Sequence, residues 1–361
     1  HSTIIEILLQ YNADTATTTT GYNGQNALHF AALNNKTTTT TVQLLLNNMK
    51  LEDINHKTNT SGNTPLDNCY NYNNSSIKQQ LIDLIRQKGG KRKSELEEEK
   101  KHYESLNEKY KNEFPDGTPF VCACEKGRVE DVEGMIRGAR AAGMDVTAMV
   151  SEVGTRSDGN NSYTPLMAAA WYEHSTIIEI LLQYNADTAT TTTGYNGQNA
   201  LHFAALNNKT TTTTVQLLLN NMKLEDINHK TNTSGNTPLD NCYNYNNSSI
   251  KQQLIDLIRQ KGGKRKSELE EEKKHYESLN EKYKNEFPDG TPFVCACEKG
   301  RVEDVEGMIR GARAAGMDVT AMVSEVGTRS DGNNSYTPLM AAAWYEHSTI
   351  IEILLQYNAD T

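Results

Sequence analysis

Apolar residues recur at helical spacing in short segments, and residues that favour helix ends bound each segment. In the stretch Thr164–Asp187, Thr164 can cap a first short helix whose inner positions are the small residues 168–170, all alanine. A second helix, Ser175–Tyr184, carries a wide apolar stripe. Asn185 follows where a helix needs a left-handed residue to end. Helices this short cannot bury their own apolar faces, so the pattern predicts helix pairs stacked on similar pairs.

An opening of this kind recurs four times within 173 residues, at Asn26, Thr64, Thr118 and Thr164. The spacings from each opening to the next are 38, 54, 46 and 35 residues. With the closing segment Leu181–Asp187 (LLQYNAD), the pattern resembles the ankyrin repeat, whose opening reads T-P-L-H-x-A-A and whose period is about 33 residues. The resemblance implies an all-α fold: an ankyrin-like solenoid of stacked helix pairs with hairpin-like loops.

The whole pattern then repeats without substitution after 173 residues. The sequence that starts at His1 starts again at His174 and at His347. This divides the chain into two tandem units, residues 1–173 and 174–346, and the start of a third, residues 347–361. Because identical sequences meet at identical interfaces, we expect one screw operation to relate the units. A free solenoid would be expected to carry polar capping repeats, and the sequence shows none.

The longest insertion predicts an extra amphipathic helix in each unit. Ser94 and Glu97 have the spacing of a capping box, and acidic residues fill the first turn. The helix carries one apolar seam: Leu96, Tyr103, Leu106, Tyr110 and Phe114. We therefore predict a continuous helix from Ser94 to Phe114 that packs along the solenoid or against another chain.

A second candidate assembly surface lies near the start of the chain. Ile4, Ile5 and Leu8 belong to an apolar stripe on the second helix of a repeat whose first helix is absent. We expect a helix with the sequence TPLMAAAWYE, as found at residues 164–173, to cover this stripe.

The sequence lacks the motifs of an enzyme or a metal site. It contains no phosphate-binding glycine loop, no nucleophile elbow, no HExxH and no paired CxxC. Cys69, Cys122 and Cys124 occupy inner-face positions that alanine fills elsewhere, which predicts buried, reduced thiols. In the family that the chain resembles, the histidine of the opening motif, here His29, bonds neighbouring backbone. No catalytic residue, cofactor or metal is expected.

The composition of the chain bears mainly on its partners and its cellular compartment. The net charge of −10 argues against nucleic acid as a partner, and no apolar run is long enough to span a membrane. Six cysteines are too few for a disulfide framework in 361 residues, which favours an intracellular, reducing compartment. An extracellular fibre stays possible. Five asparagines would then be candidates for N-glycosylation: Asn35, Asn59, Asn73, Asn74 and Asn160.

Exact repetition favours a structural, non-enzymatic role. Identical units can build a repeating segment of a long fibre or superhelical filament, with other copies of the unit as partners along the chain or between chains. The alternative is an adaptor that binds another protein on the concave face and loop tips, as the ankyrin resemblance implies. A single partner site does not need an exact repeat, whereas a fibre or a multivalent array does.

Overall fold

In the computed structural model the described residues are 2–20, 23–73, 75–159, 163–192, 196–246, 248–332 and 336–359. Over these residues the chain forms 23 α-helices and no strand beyond two isolated bridges. This confirms the predicted all-α, ankyrin-like solenoid. The chain divides into two compact units, each described by itself below. Unit 1 is His1–Pro165 with Gln183–Ala186, and unit 2 is Leu166–Leu182 with Asp187–Thr361. The division at the 173-residue period stays a prediction.

Unit 1 contains ten helices in its described part: α1 (Ser2–Gln10), α2 (Ala27–Leu33), α3 (Thr39–Asn48), α4 (Leu51–Ile54), α5 (Pro65–Tyr72), α6 (Lys78–Gln87), α7 (Lys93–Glu113), α8 (Pro119–Glu125), α9 (Val129–Ala141) and α10 (Val146–Ser151). Then come α11 (Pro165–Trp171) and α12 (Ser175–Gln183), which lie almost wholly in unit 2. The other helices of unit 2 are α13 (Ala200–Leu206), α14 (Thr212–Asn221), α15 (Leu224–Ile227), α16 (Pro238–Asn244), α17 (Lys251–Gln260), α18 (Lys266–Glu286), α19 (Pro292–Glu298), α20 (Val302–Ala314), α21 (Val319–Ser324), α22 (Pro338–Trp344) and α23 (Ser348–Gln356).

The first helices α2 and α5 begin at a side-chain cap, whereas Thr118 forms no such hydrogen bond at the start of α8. In α5 the Thr64 hydroxyl accepts the Asp67 amide at 3.2 Å, and the Asp67 carboxylate accepts the Thr64 amide at 3.1 Å. Small buried residues on these helices, such as Ala32 on α2 and Cys69 on α5, let neighbouring helices approach closely. At the other end of a helix pair, Asn185 adopts a φ of 58°, which confirms the left-handed stop predicted after α12.

Histidines connect the loops of successive repeats in unit 1. The Nε2 atom of His29 lies 3.1 Å from the carbonyl oxygen of Asn63, and the Nε2 atom of His56 lies 3.0 Å from that of Gly24. The two imidazole rings meet edge to face. The structural role that the family implies for His29 is thus present here.

The inserted helix α7 packs along α9, and the equivalent α18 packs along α20. The helix is continuous, as predicted, but its cap differs from the prediction. It begins at Lys93, and the Glu95 carboxylate, not that of Glu97, accepts the Arg92 amide at 2.6 Å. The reason is a tertiary contact: Asp67 of α5 accepts the Lys93 amide at 2.8 Å and the Arg92 Nε–H at 3.0 Å. A carboxylate from another repeat therefore fixes where α7 starts.

Two glycines of α9 allow α7 to approach its backbone. A Cβ atom on Gly138 would lie 2.4 Å from the carbonyl oxygen of Glu99 and 2.4 Å from Cβ of Tyr103. A Cβ atom on Gly134 would lie about as close to His102 and Leu106 as the tightest real contacts. The helices α7 and α9 can therefore keep this separation only with glycine at position 138.

The helices described above are all too short or too polar to cross a lipid bilayer.

Candidate protein-interaction surfaces

The apolar seam of α7 faces the solenoid of its own unit. Leu96, Leu106 and Tyr110 are buried, whereas Tyr103 and Phe114 are half-buried. Of the two arrangements predicted from the sequence, packing along the solenoid and packing against another chain, this is the first. Tyr103 and Leu106 lie against the glycines of α9, and Tyr110 bonds Asp131 of the same helix, so the seam faces the solenoid. A role for the five side chains in assembly stays a prediction.

Polar contacts anchor the C-terminal half of α7. The Tyr110 hydroxyl donates to Asp131 at 2.8 Å, and the Lys109 ammonium lies 2.7 Å from the same carboxylate oxygen. The Arg128 guanidinium lies over the Tyr110 ring, 5.2 Å from its centroid. Burial and the hydrogen bond to Asp131 raise the pKa of Tyr110 well above its ordinary value. The phenol is thus a neutral donor at all physiological pH values.

The stripe on α1 is open to solvent in this chain. Ile4 and Leu8 are exposed, and Ile5 is half-buried against the neighbouring helices. Ile5 and Leu8, but not Ile4, line a groove of about 600 Å³ together with Phe30 and Leu45, and its lining is mainly apolar. An apolar groove of this size is typical of a docking surface.

A pair of tyrosines forms an exposed patch that occurs once in each unit. In unit 1, Tyr70 and Tyr72 lie at the end of α5, and the Arg92 guanidinium lies 4.8 Å from the centroid of the Tyr70 ring. In unit 2 the corresponding residues are Tyr243, Tyr245 and Arg265, with the same 4.8 Å separation. Tyr72 is 55% exposed and Tyr245 is 53% exposed. We call these three-residue sets the Tyr/Arg patches.

The candidate glycosylation sites differ in solvent exposure. Asn35 and Asn59 are exposed. Asn73 is fully buried, and its Nδ2 atom donates to the carbonyl oxygen of Ala32 at 2.9 Å. The sequence-based proposal for Asn73 is therefore wrong for the folded chain, because its amide serves as a link between repeats. Asn74 and Asn160 lie outside the described residues.

The cysteines are buried, as predicted, and all six are free thiols. Burial raises the pKa of Cys69 to about 11 and that of Cys122 to about 12, so neither is a thiolate at neutral pH. The parts of the chain that the structure describes contain no group of side chains arranged to hold a metal ion. A reactive or metal-binding role for the thiols has no support in this geometry.

Sequence reasoning missed three features of these surfaces. The Gly134–Gly138 pair has a local signal, because small residues four positions apart share one face of a helix. The Tyr/Arg patches are not visible as patches, because Arg92 joins Tyr70 only in the folded chain. The link from Asn73 to Ala32 likewise depends on the stacking of repeats. Only the first could have been read from the sequence.

Comparison with known protein families agrees with this architecture. Residues 1–91 match a model described as ankyrin repeats (3 copies). Residues 161–192, 196–232 and 334–361 each match the model of the ankyrin repeat. A search of curated proteins finds no match. The matched segments together cover more than half of the sequence, and so this chain belongs to the ankyrin repeat family.

Proposed function

We propose that this chain is a non-enzymatic protein-interaction scaffold that presents the same partner-binding surface in each of its repeated units. Ankyrin repeats suggest a scaffold for protein–protein interaction, and proteins of this family are typically interaction modules without catalytic activity. The observation that carries the proposal for this chain is the pair of identical, exposed Tyr/Arg patches.

Tyrosine and arginine are suited to protein recognition. Both are enriched among the few interface residues that dominate binding energy. Tyrosine adds a large contact area at a small entropic cost, because it has only two rotatable side-chain bonds. In each Tyr/Arg patch the guanidinium lies over one ring, which restricts both side chains before a partner arrives.

Two copies of one patch would allow multivalent binding. A partner with a single recognition site would bind twice per chain, and a partner with two such sites could gain avidity if its linker spans both patches. The 173-residue repeat accounts for the duplication, because each unit reproduces the same surface.

The test uses the repetition as an internal control. We would recover partners by crosslinking in a native extract, purify one, and measure its stoichiometry by titration calorimetry. The proposal predicts two sites in the wild type, one in Tyr70→Ala/Tyr72→Ala or in Tyr243→Ala/Tyr245→Ala, and none in the quadruple variant. Met144→Ala/Met317→Ala, which alters an exposed residue in each unit, should keep both sites. Undiminished binding by the quadruple variant would refute the assignment of the patches.

A second candidate function is a structural element of a fibre or superhelical filament. The observation that favours it is the exact period, because the same interface repeated indefinitely generates an extended object. The building block would be the 173-residue unit, and its partners would be other copies of the same unit. Electron micrographs of the native particle test this candidate: filaments would support it, and discrete particles of one size would exclude it.

A further inference from the structure

A cavity lies beside the inserted helix in each unit. In unit 1 it has a volume of about 400 Å³ and lies where α4, the start of α7 and the end of α9 meet. In unit 2 the corresponding cavity, among α15, α18 and α20, has a volume of about 460 Å³. Each residue that lines the first cavity has its equivalent, 173 positions later, in the lining of the second. We call them the inserted-helix cavities, and both have the volume of a typical small-molecule site.

The lining of each cavity is rich in positive charge, although the chain carries a net charge of −10. In unit 1 the cationic side chains are Lys57, Lys91, Arg137 and Arg140, and the carboxylates are Glu52 and Glu99. Lys91 forms an ion pair with Glu99. The cations outnumber the carboxylates by the same margin in unit 2. A local excess of positive charge around a cavity favours an anionic ligand.

Apolar side chains supply another part of the lining. In unit 1 they are Leu51 of α4, Leu96 of α7 and Ala141 of α9. Leu96 and Ala141 are buried, and Leu51 is half-buried. A cavity that combines apolar walls with a few charged groups is typical of a site for an organic molecule, because the walls contact its carbon atoms while the charges orient it.

The backbone beside the cavity is held in place before any ligand arrives. The Nδ2 atom of Asn55 donates to the Gly89 carbonyl oxygen at 3.1 Å, and its Oδ1 atom accepts the Lys91 amide at 2.6 Å. In unit 2 the side chain of Asn228 makes the same two hydrogen bonds, at 3.1 and 2.7 Å. Because this part of the wall is fixed, binding would not have to order it.

One lysine of the cavity has different partners in the two units. The Lys57 ammonium lies 3.4 Å from the Glu97 carboxylate. The equivalent Lys230 instead donates to the Ala314 carbonyl oxygen at 3.4 Å. The sequence around the two lysines is the same, so neither contact is strongly preferred. An anionic ligand can therefore replace either contact at a small cost in free energy.

The first arginine of the cavity also has only long ion pairs. Arg137 lies 3.6 Å from Glu133 and 3.9 Å from Glu99. The equivalent Arg310 lies 3.4 Å from Glu306. Ion pairs of this length between partly exposed side chains contribute little to stability. The guanidinium can therefore turn towards a ligand in the cavity.

The second arginine is held by a ring. The Arg140 guanidinium lies 5.1 Å from the centroid of the Tyr184 ring, and that of Arg313 lies 5.2 Å from the centroid of the Tyr357 ring. A guanidinium that stacks on a ring keeps its in-plane N–H groups for hydrogen bonds. In unit 2 the buried Nε–H of Arg313 has no hydrogen-bond acceptor among the described residues, and its contact with Glu225 is an ion pair of 3.4 Å. A ligand oxygen would satisfy this donor.

We propose that each inserted-helix cavity binds a small organic phosphate. Arg137 and Arg140 would donate paired N–H groups to the phosphate oxygens, a geometry that the planar guanidinium fits. Lys57 would add a third positive charge. The organic part would contact Leu51 and Leu96. The ligand is a free small molecule and not a phosphorylated protein, because helices form the cavity on three sides and its volume is that of a small ligand.

The experiment measures binding of phenyl phosphate to the 361-residue chain by equilibrium dialysis at low salt. Two molecules should bind per chain, because each unit has one cavity. Inorganic phosphate, which lacks the apolar part, and benzyl alcohol, which lacks the charge, should each bind at least 10-fold more weakly. Absence of phenyl phosphate binding would overturn the proposal, and so would equal affinity for inorganic phosphate.

Variants in one unit locate the site. Arg137→Gln/Arg140→Gln should reduce the number of bound molecules from two to one, and adding Arg310→Gln/Arg313→Gln should reduce it to none. The matched control, Lys101→Gln/Lys111→Gln, removes the same charge from exposed positions of α7 and should keep both sites. Two sites in the quadruple arginine variant would overturn the assignment.

A milder pair of substitutions keeps the test decisive if circular dichroism shows that the arginine variants are misfolded. Lys57→Gln/Lys230→Gln removes one charge from each cavity and should raise the Kd of phenyl phosphate about 3-fold or more at both sites. An unchanged Kd in this folded variant would overturn the proposal.

A peptide tests whether the ligand is a free small molecule. A pentapeptide with a central phosphotyrosine carries the same phenyl phosphate group on a polypeptide backbone. It should bind at least 10-fold more weakly than phenyl phosphate, because the cavity has no room for the backbone. Equal or tighter binding of the peptide would overturn the assignment to a small molecule.

The inserted-helix cavities and the Tyr/Arg patches share no residue, so either proposal can fail alone. The quadruple arginine variant should lose phenyl phosphate but keep its protein partner. The quadruple tyrosine variant should lose the partner but keep phenyl phosphate.

Discussion

Two helix interfaces within unit 1 achieve close packing by different means. Between α2 and α5 the inner positions carry small side chains such as Ala32 and Cys69, so the two helices meet through their Cβ groups. Between α7 and α9 the positions of closest approach are Gly134 and Gly138, and α7 meets the backbone itself. The α2–α5 interface is part of the ankyrin repeat itself, whereas the α7–α9 interface is formed by the inserted helix.

The difference shows what an insertion needs in order to join a solenoid. Alanine favours the helix and leaves enough room for an ordinary neighbour. Glycine weakens a helix by about 1 kcal/mol at each position relative to alanine. In α9 this cost is offset because α7 buries Leu106 and Tyr110 on the solenoid. Burial of one such side chain contributes about 1.5–3 kcal/mol.

Replacing Gly138 by Ala should break the inserted interface and have the largest effect. The new Cβ would lie 2.4 Å from a backbone oxygen of α7, so the two helices must separate. Overpacking of this kind costs about 1–3 kcal/mol, which exceeds the gain in helix propensity. Urea unfolding measures the loss, and hydrogen exchange should show it in α7 before α5.

The matched control is Glu133→Ala, an exposed change on the same helix, which should leave stability within about 0.5 kcal/mol of wild type. The equivalent Gly311→Ala in unit 2 should cost the same, and the two losses should add because the two glycines contact different residues. If Gly138→Ala stabilised the protein by about 1 kcal/mol, as at an exposed helical site, the close approach would be excluded.

The two interfaces also differ in how far the sequence predicts them. The opening motifs place Cys69 and Cys122 on inner faces, and the apolar seam identifies Leu96, Leu106 and Tyr110 as buried, because these signals are local and periodic. The start of α7 was predicted wrongly, because Asp67, a residue 26 positions before Lys93, fixes it. Such contacts depend on which repeats lie side by side.

The same limit applies to the candidate surfaces. Sequence alone marks Ile4 and Leu8 as apolar, but it cannot show that Trp171 covers Phe203 while Trp344 is exposed. Identical sequences have identical local signals, so only the three-dimensional arrangement distinguishes them. The buried link from Asn73 to Ala32 was missed for the same reason, since an asparagine in a glycosylation motif is usually exposed.

A substitution among the polar contacts between α7 and α9 should have a smaller effect on stability. Tyr110→Phe removes the hydroxyl that donates to Asp131 but keeps the buried ring. Loss of a hydrogen bond to a charged group should cost about 1.5 kcal/mol, because the buried ring stays while the Asp131 carboxylate loses one donor. Urea unfolding of Tyr110→Phe measures this loss. Tyr72→Phe, at an exposed ring, should have no effect, and equal stability of the two variants would contradict the role of the phenol.

The last prediction concerns the family interface, where stability should depend on pH. Burial lowers the pKa of His29 from 6.5 to about 4, and that of His202 to about 3. In the unfolded chain these histidines bind protons below about pH 6.5, whereas the folded chain does so only below the lowered values. Their contribution is therefore complete above pH 6.5 and is lost progressively as the pH falls towards 4.

The measurement is the free energy of unfolding in urea between pH 7.5 and pH 4.5, a window chosen from the ordinary and lowered histidine pKa values. The buried carboxylate of Asp67 interferes little in this window. The pKa of Asp67 is lowered even though burial acts to raise it, because the Lys93 and Thr64 amides donate to it, so its contribution is lost at more acidic pH. Each buried histidine should give a slope of up to about 1.4 kcal/mol per pH unit. His29→Gln/His202→Gln should be less stable at pH 7.5 but show a flatter slope. An unaltered slope in the His29/His202 variant would mean that these imidazoles are hydrated or protonated in the folded chain.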